Sequence, residues 1–356
     1  MTRLVLLGGG HAHALVLRRL RGFISKSLDV VLVNPAPVHV YSGMVPGVIA
    51  GHYAPAEAEI DLARLAREAG AEFIEDAAQS LDLASRRVHL AGGDSVDYDY
   101  LSLNIGSQPN FAGVPGAQAH AIAAKPFVRL FQRWRELKAA GLGSARLAVA
   151  GGGAAGIELA MAMKFAGAAE VTVFSDKKAL PQAGEARILA ALERTDVALR
   201  SDCPVTAVEP GPLVVSAKGR ERFDALFWTA GAAASPLIAE SRLQADAAGF
   251  ALVDENLRSV SQSGVFAAGD AASLRGATVP KSGVYAVREG AVLAENLTRV
   301  VRGQPLEAYE PQKKSLVLLS CGGRYAIAAR GGWSAEGGWV WRWKDWIDRR
   351  WVKSFG

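Results

Sequence analysis

The sequence has 356 residues, of which half are hydrophobic and 21% are charged, so it predicts two folded domains and argues against disorder. No apolar run reaches the roughly 18 residues that a membrane-spanning helix needs. The net charge of +5 is uneven: residues 311–356 hold nine Lys or Arg against three Asp or Glu, and the rest of the chain sums to about −1.

The first predicted unit is a strand, a glycine turn, a helix and a second strand. Residues 4–7 are followed by three glycines, a helix to about Leu20, and a strand over residues 30–33. This unit accounts for the apolar N-terminal residues without a signal peptide, so we expect a cytoplasmic protein. In dinucleotide-binding folds such a turn places phosphate groups at the helix N-terminus.

The first glycine turn is an imperfect copy of the Gly-x-Gly-x-x-Gly pattern. Gly8 and Gly10 are present, but His13 takes the third position, where its side chain should push helix and strand apart or point along a cofactor. Asn34 stands where an acidic residue usually follows the second strand, and its amide can still bond to a ribose hydroxyl. His11 and His13 are interpreted as residues near phosphate rather than as a metal pair.

A second unit repeats the first at the scale of a domain. Residues 106–116, rich in Gly, Pro and Ser, form a predicted hinge, and residues 126–140 have helical periodicity. A strand over residues 147–150 then leads into the complete pattern Gly151, Gly153 and Gly156, a helix through Ala166, and a strand over residues 171–174. The two units predict an α/β fold with two parallel-sheet, dinucleotide-binding domains.

The end of the second unit bears on the choice of nucleotide. An acidic residue at position 175 would indicate NADH, through the ribose 2′-hydroxyl. Ser175 stands there, followed by Asp176, Lys177 and Lys178. The serine and the lysines suit a 2′-phosphate and Asp176 opposes it, so NADH and NADPH both stay open.

Three further segments resemble motifs of the flavin-dependent pyridine-nucleotide oxidoreductases. They are YDYLSLNIGSQP at residues 98–109, DALFWTAG at residues 224–231 and VFAAGD at residues 265–270. The resemblance runs from residue 4 to about residue 300. It implies two Rossmann-like domains that bind FAD and NADH or NADPH. It also implies that Asp270 binds a ribityl hydroxyl of FAD and that Glu158 lies at the nicotinamide end of the second nucleotide, although a first-turn glutamate also stabilises a helix dipole.

The number and spacing of the cysteines limit the branches of this superfamily to which the chain could belong. Only Cys203 and Cys321 are present, so a local redox-active pair is excluded and no zinc site is indicated. Residues 39–47 look more like type II NADH dehydrogenases and sulfide:quinone oxidoreductases. Together with residues 8–13 they most resemble the flavoprotein domain found fused to selenophosphate synthetase in some organisms. Sulfide or selenium chemistry, and a non-catalytic flavin-binding redox sensor, remain alternatives to a quinone reductase.

A helix start is predicted after Asp270, where Pro280 and Ser282 precede an apolar-periodic segment. Its N-terminal N–H groups would face the flavin and stabilise negative charge on it. Lys281 is predicted to assist electrostatically, since a desolvated cation favours reduced flavin.

The last predicted helix, over residues 339–355, is basic and contains most of the tryptophans of the tail. At 100° per residue one arc is apolar and the opposite arc charged. The apolar arc holds Trp339, Val340, Trp343, Trp346, Ile347 and Trp351, with Arg350 among them, and the charged arc holds Arg342, Asp345, Asp348, Arg349 and Lys353. We expect residues 338–356 to lie on a membrane surface, or else to pack on the body of the protein or on a second subunit. Because both predicted nucleotide sites lie upstream, deletion of these residues should spare flavin reduction.

The sequence thus predicts an FAD domain at residues 1–112 and 250–310, an inserted NAD(P)H domain at 113–249, and a C-terminal segment at 311–356. Its predicted activity moves a hydride from NAD(P)H to FAD and electrons on to a quinone, with no nucleic-acid partner and with a homodimer left open. Glu158 and Lys281 are the candidate catalytic residues. The candidate cofactor contacts are Gly8, Gly10, His11, His13, Asn34, Ser42, Gly43, Met44, Ala78, Gly106, Ser107, Gly151, Gly153, Gly156, Ser175, Gly231, Gly269, Asp270, Ser282, Gly283 and Val284.

Overall fold

A computed structural model describes residues 1–22, 28–176 and 184–356. In chain order the strands are β1 Thr2–Leu7, β2 Leu28–Asn34, β3 Val38–Val40, β4 Glu59–Asp61, β5 Glu72–Glu75, β6 Ala78–Asp82, β7 Arg87–Leu90, β8 Ser95–Asp97, β9 Tyr100–Leu103, β10 Gln108–Pro109, β11 Ile122–Ala123, β12 Arg146–Ala150, β13 Glu170–Phe174, β14 Ala198–Arg200, β15 Val205–Glu209, β16 Leu213–Ser216, β17 Gly219–Arg222, β18 Ala225–Trp228, β19 Ala232–Ala233, β20 Ala251–Val253, β21 Val265–Ala267, β22 Ala272–Leu274, β23 Val317–Ser320, β24 Ala326–Arg330 and β25 Trp333–Gly337. The helices are α1 His11–Leu20, α2 Val45–Ala50, α3 Leu62–Ala69, α4 Ala117–His120, α5 Phe127–Ala140, α6 Ala154–Phe165, α7 Glu185–Arg194, α8 Pro236–Glu240, α9 Gly283–Val301 and α10 Gly338–Lys353.

The first parallel sheet has the order β21-β9-β1-β2-β5. Its central strand β1 ends in four consecutive buried residues, as expected for a strand covered on both faces by helices. Helices α1 and α9 pack against each other, and a side chain at Gly290 of α9 would collide with the backbone of Ala12. A separate antiparallel sheet, β6-β7-β8, lies between β5 and β9 in the chain.

The second parallel sheet repeats this architecture with the order β11-β18-β12-β13-β14, and the antiparallel sheet β15-β16-β17 lies between β14 and β18 in the chain. Each glycine turn follows the central strand of its parallel sheet. The predicted fold class, α/β with two Rossmann-like units, is confirmed. The predicted helix over residues 126–140 is present as α5.

The two units are joined by a short antiparallel pair, in which Gln108 and Pro109 of β10 lie opposite Ala233 and Ala232 of β19. β10 lies within the predicted hinge segment, and β19 follows the corresponding segment of the second unit. β21 joins β9 although about 160 residues separate them in the chain. The first sheet is therefore built from two distant stretches of sequence.

The C-terminal residues form the antiparallel hairpin sheet β23-β24-β25, which leads into α10. Helix α10 packs against these strands with Val340 and Trp341 buried. Among residues 1–22, 28–176 and 184–356, no helix is both long enough and apolar enough to cross a bilayer.

Candidate nucleotide and flavin site

The first glycine turn is held by Asn104, which follows β9. The Asn104 side-chain oxygen accepts from the Ala12 and His13 N–H groups at 3.1 and 3.3 Å, and its Nδ2 donates to the Ala268 carbonyl at 2.8 Å. A Cβ at Gly10 would collide with the Asn104 side chain, so this position needs glycine. Asn104 thus ties together the start of α1, the end of β9 and the end of β21.

Asn34 lies beside the same turn at the end of β2. Its Oδ1 accepts from the Gly9 N–H at 2.7 Å and its Nδ2 donates to the Ala36 carbonyl at 2.7 Å. An amide has two lone pairs on its oxygen and two hydrogens on its nitrogen, so one further contact on each side is available to a ligand.

His13 is completely buried, and both of its ring nitrogens have protein partners. Nδ1 donates to the Gly8 carbonyl at 2.5 Å, and Nε2 then accepts from the Ser102 hydroxyl at 2.8 Å, since burial lowers the pKa of His13 to about 4 and keeps the ring neutral. The alternative in which the His13 side chain points along the cofactor is therefore wrong, because both ring nitrogens bond to protein groups. Its partners show instead that it bridges the glycine turn to β9.

His11, the first residue of α1, lies in an aromatic cluster with His39, Tyr41 and Trp351. Its ring centroid is 4.8 Å from that of His39, 5.4 Å from that of Tyr41 and 6.4 Å from that of Trp351. The Nε2 atoms of both histidines are buried with no partner among residues 1–22, 28–176 and 184–356. A buried polar atom without a partner is costly, so these atoms point to a missing ligand contact.

The start of α9 lies beside His11 and Ser42. A Cβ at Gly283 would lie 3.5 Å from the Ser42 hydroxyl and 3.6 Å from His11 Nε2. Helix α9 begins after Ser282, as the sequence predicts, although the Ser282 side chain makes no capping hydrogen bond. Val284 is exposed in the first turn of the helix.

Asp270 follows β21 and receives two donors on the same oxygen, Oδ2. The Ser107 hydroxyl donates at 2.9 Å and the Lys125 ammonium at 2.8 Å. The adjacent Gly269 N–H donates to Glu289 of α9. Ser107 and Asp270 were both predicted to contact the cofactor, and the structure brings them together, whereas Lys125 was not among the predicted site residues.

Lys281, the other predicted catalytic residue near Asp270, contacts a backbone carbonyl and an aromatic ring. Its ammonium donates to the Ala272 carbonyl and lies 4.1 Å from the centroid of the Phe250 ring. Burial lowers the pKa of Lys281, although the nearby carboxylates of Asp270, Glu289 and Asp246 oppose this effect.

The second glycine turn is closed by Thr229, which follows β18. The Thr229 hydroxyl lies within hydrogen-bonding distance of the Ala150 and Gly151 carbonyls, at 2.9 and 3.2 Å. A Cβ at Gly156 would collide with the Gly151 carbonyl, so here the third glycine is required. Gly153 caps the N-terminus of α6.

Ser175 is buried at the end of β13, and its hydroxyl donates to the Asp176 carbonyl at 2.9 Å. Lys177 and Lys178, on which the NADPH alternative depends, lie outside the described residues. The choice between NADH and NADPH therefore stays a prediction.

The other predicted cofactor contacts lie at or near strand ends and turns. Gly106 and Gly231 follow β9 and β18 with φ of +73° and +66°. Met44 is fully buried, and Ala78 begins β6, where it pairs with Leu90.

Glu158 lies on α6 where the second unit meets the C-terminal segment. Its Oε1 accepts from the Ser320 N–H at 2.7 Å. Burial raises the pKa of Glu158 to about 7; Asp348 adds to the rise, and Lys344 and the Ser320 N–H oppose it. A carboxyl with this pKa exchanges its proton near neutral pH, which is the behaviour expected of a general acid or base.

Lys344 and Asp348 of α10 are buried beside Glu158. The Lys344 ammonium donates to Asp348 at 2.7 Å and to the Gly43 carbonyl at 2.7 Å. Asp348 also accepts from the Tyr41 hydroxyl at 3.1 Å. The carboxylates of Asp348 and Glu158 outweigh the effect of burial and raise the pKa of Lys344, which stays charged.

This arrangement corrects the predicted faces of the last helix. Asp348, placed on the water-facing arc, is buried, and Val340 and Trp351, placed on the membrane-facing arc, turn toward the body. The exposed face instead carries Trp339, Arg342, Trp346, Arg350 and Lys353. The predicted faces were wrong because a helical projection assigns charged residues to the exposed face, even when they form a buried ion pair.

Lys125, Lys344 and Asp348 are site residues that the sequence-based prediction missed. Lys344 and Asp348 are four positions apart, a spacing that usually indicates a surface ion pair, and Lys125 belongs to no motif. The one available signal was the interruption of an apolar helix face by Lys344.

Comparison with known proteins identifies the family of this chain. The family described as pyridine nucleotide-disulphide oxidoreductase matches residues 2–290. A demethylphylloquinone reductase of Synechocystis is 23% identical over 340 residues, covering 89% of this chain and 84% of the relative. A type II NADH:quinone oxidoreductase of Haemophilus influenzae is 24% identical over 272 residues, covering 63% of this chain and 61% of the relative.

The sulfide:quinone oxidoreductase from Aquifex aeolicus has the same fold, with a TM-score of 0.83 at 16% identity over 100% of this chain and 91% of that one. The family match spans both glycine turns, Glu158 and Asp270, and it confirms the resemblance noted in the sequence. This chain belongs to the pyridine nucleotide-disulphide oxidoreductase family.

Proposed function

We propose that this protein is an FAD-dependent oxidoreductase that takes a hydride from NADH or NADPH and passes electrons to a quinone. The observation that carries the proposal is the position of Glu158. It lies on the helix that follows the complete glycine turn, and the Lys344 ammonium, which acts on it electrostatically, donates to the Gly43 carbonyl of the first unit. The two nucleotide-binding units thus meet at one proton-exchanging group.

The residues around the first glycine turn fit FAD. Gly10 places no side chain at the start of α1, as close approach of a pyrophosphate requires, and Asp270 with Ser107 presents oxygens to sugar hydroxyls. The unpartnered Nε2 atoms of His11 and His39 supply further polar contacts. When bound, FAD supplies the hydride and electron chemistry, and the protein positions it.

Glu158 is proposed to hold and release a proton at its carboxyl, because quinone reduction takes up protons as well as electrons. Its pKa of about 7 suits either direction of transfer. Lys344 is proposed to orient this carboxyl and to keep its pKa from rising further. The quinone acceptor is supported by the Synechocystis and Haemophilus relatives, whose names describe quinone reduction.

Sulfide chemistry is the second candidate, and the cysteines argue against it. Cys203 and Cys321 are buried in different hydrophobic clusters. Burial raises the pKa of the Cys321 thiol to about 12, so the nucleophilic thiolate is disfavoured.

Replacing both cysteines with serine should therefore leave the rate of flavin reduction by NAD(P)H within about a factor of three, because no thiolate takes part. Stopped-flow absorbance of the bound flavin measures this rate. A variant that keeps its flavin but loses turnover would restore the sulfide candidate.

An anaerobic titration with NADH, NADPH and sulfide in turn tests the proposed activity. The purified protein should be yellow and should release FAD, not FMN, on boiling, and one of the two nucleotides should bleach it. Asp270→Ala should lower the FAD content, and full FAD content in that variant would contradict the proposed contact. Bound flavin that neither nucleotide bleaches would favour a redox sensor.

We also propose that the exposed face of α10 lies on a membrane surface. Trp339 and Trp346 are 51% and 56% exposed, and Arg342, Arg350 and Lys353 lie on the same face. The Trp339 ring stacks on Trp343 with centroids 6.5 Å apart. Exposed aromatic rings among cations suit the interface of an anionic bilayer.

A further inference from the structure

Lys125 connects the two nucleotide-binding units at the proposed flavin site. It follows β11, the edge strand of the second sheet, where the Ala124 N–H donates to the Trp228 carbonyl at 3.0 Å. Its ammonium nevertheless reaches Asp270, which follows β21 of the first sheet, at 2.8 Å. The side chain therefore crosses from one unit to the carboxylate proposed to hold the ribityl chain.

The charge of Lys125 also acts on His11 and His39, the two histidines of the aromatic cluster. Burial lowers the pKa of His11 and the positive charge of Lys125 lowers it further. The pKa of His39 is lowered by burial, then by His11 and then by Lys125. Both imidazoles are thus neutral at pH 7, and Lys125 lies within electrostatic range of both. The same ammonium is near the ribityl-binding carboxylate and near the histidines with unpartnered Nε2 atoms.

Lys281, the cation that the sequence suggested for this role, is differently placed. Its ammonium is held by the Ala272 carbonyl and packs over the Phe250 ring. Lys125 is 44% exposed and its described partner is Asp270, so it is free to turn when a ligand takes up the oxygens of that carboxylate.

We propose that Lys125 is the cation that faces the bound flavin and stabilises the negative charge that reduction adds to it. The inference rests on the proposed FAD site. A cation beside a group that becomes negative favours the reduced state, and so raises the reduction potential. Lys125 would then act on the equilibrium between oxidised and reduced flavin without any proton transfer of its own.

The test is the two-electron reduction potential of the bound flavin in the wild type and in Lys125→Met, measured against a reference dye with dithionite as reductant. Coulomb attraction over several ångströms, weakened by solvent because the side chain is partly exposed, gives a change of about tenfold in the reduction equilibrium. A tenfold change corresponds to a potential about 30 mV lower in the variant. Saturating FAD removes any contribution from weaker binding.

Three companion variants sharpen the result. Lys125→Arg keeps the charge and should keep most of the potential. Lys138→Met makes the same chemical change at an exposed position of α5, about 17 Å along the helix axis from its start at Phe127, and should have no effect. Lys281→Met should shift the potential less than Lys125→Met.

An unchanged potential in Lys125→Met, or a larger shift in Lys281→Met, overturns the assignment of Lys125. Neither result touches the proposed activity, because dithionite replaces NAD(P)H in this measurement. A protein that binds no flavin contradicts both proposals, and a flavin that dithionite reduces but NAD(P)H does not contradicts only the proposed function.

Discussion

Lys344→Met is expected to lower the free energy of unfolding by about 3 kcal/mol and to slow turnover, since removing one partner of a buried ion pair leaves the other charge unpaired. Asp348 would keep a buried carboxylate without its cation, and the Gly43 carbonyl would lose its donor. Lys344 also opposes the high pKa of Glu158, so that pKa should rise above about 7 in the variant.

Urea denaturation measures the loss of stability, and the pH profile of NAD(P)H oxidation measures the change at Glu158. The basic limb governed by Glu158 should move to higher pH in Lys344→Met. Lys353→Met, at an exposed position of the same helix, is the control for removal of a charge from α10. Adding Asp348→Asn to Lys344→Met should recover part of the stability, because the unpaired carboxylate is gone. Unchanged stability in the single variant would contradict a buried structural ion pair.

Replacing the two exposed tryptophans of α10 is expected to weaken membrane binding strongly. Trp339→Ser with Trp346→Ser should weaken binding to vesicles that contain anionic lipid by at least about a hundredfold. Each half-exposed indole offers on the order of 100 Å² of apolar surface, worth about 2.5 kcal/mol if it enters the interface fully. Vesicle co-sedimentation over a lipid titration gives the two affinities.

Replacing Arg342, Arg350 and Lys353 with glutamine separates the two contributions. It should weaken binding at low salt and have little further effect at high salt, where exposed charges are screened. Both sets of variants should keep the wild-type rate of flavin reduction in solution. Wild-type protein that ignores these vesicles, or tryptophan variants that bind as tightly as it does, would contradict the membrane proposal.

Deletion of residues 338–356 is a poorer test than the sequence suggested. The expected sparing of flavin reduction assumed that the tail lies apart from the nucleotide sites. Since α10 supplies Lys344 and Asp348 beside Glu158, and Trp351 beside His11, the deletion should disturb both the core and the proposed site. Substitutions confined to its exposed face avoid this.

The α/β architecture and the two glycine turns are predictable from local sequence patterns. A buried parallel strand, a glycine turn and an amphipathic helix are local signals, because each depends on neighbours within a few positions of the chain. Strands β1 and β12, helices α1 and α6 and the start of α9 are present where these signals place them.

Which side chains meet at the site depends on contacts between residues that are far apart in the chain. Lys344 reaches Gly43 across 301 positions, Lys125 reaches Asp270 across 145, and His13 replaces a glycine because Ser102, 89 positions away, accommodates its ring. Helical periodicity shows that α10 has two faces but not which one is buried. That choice depends on Tyr41 and the Gly43 carbonyl, polar partners from a distant part of the chain that make burial of a lysine and an aspartate tolerable.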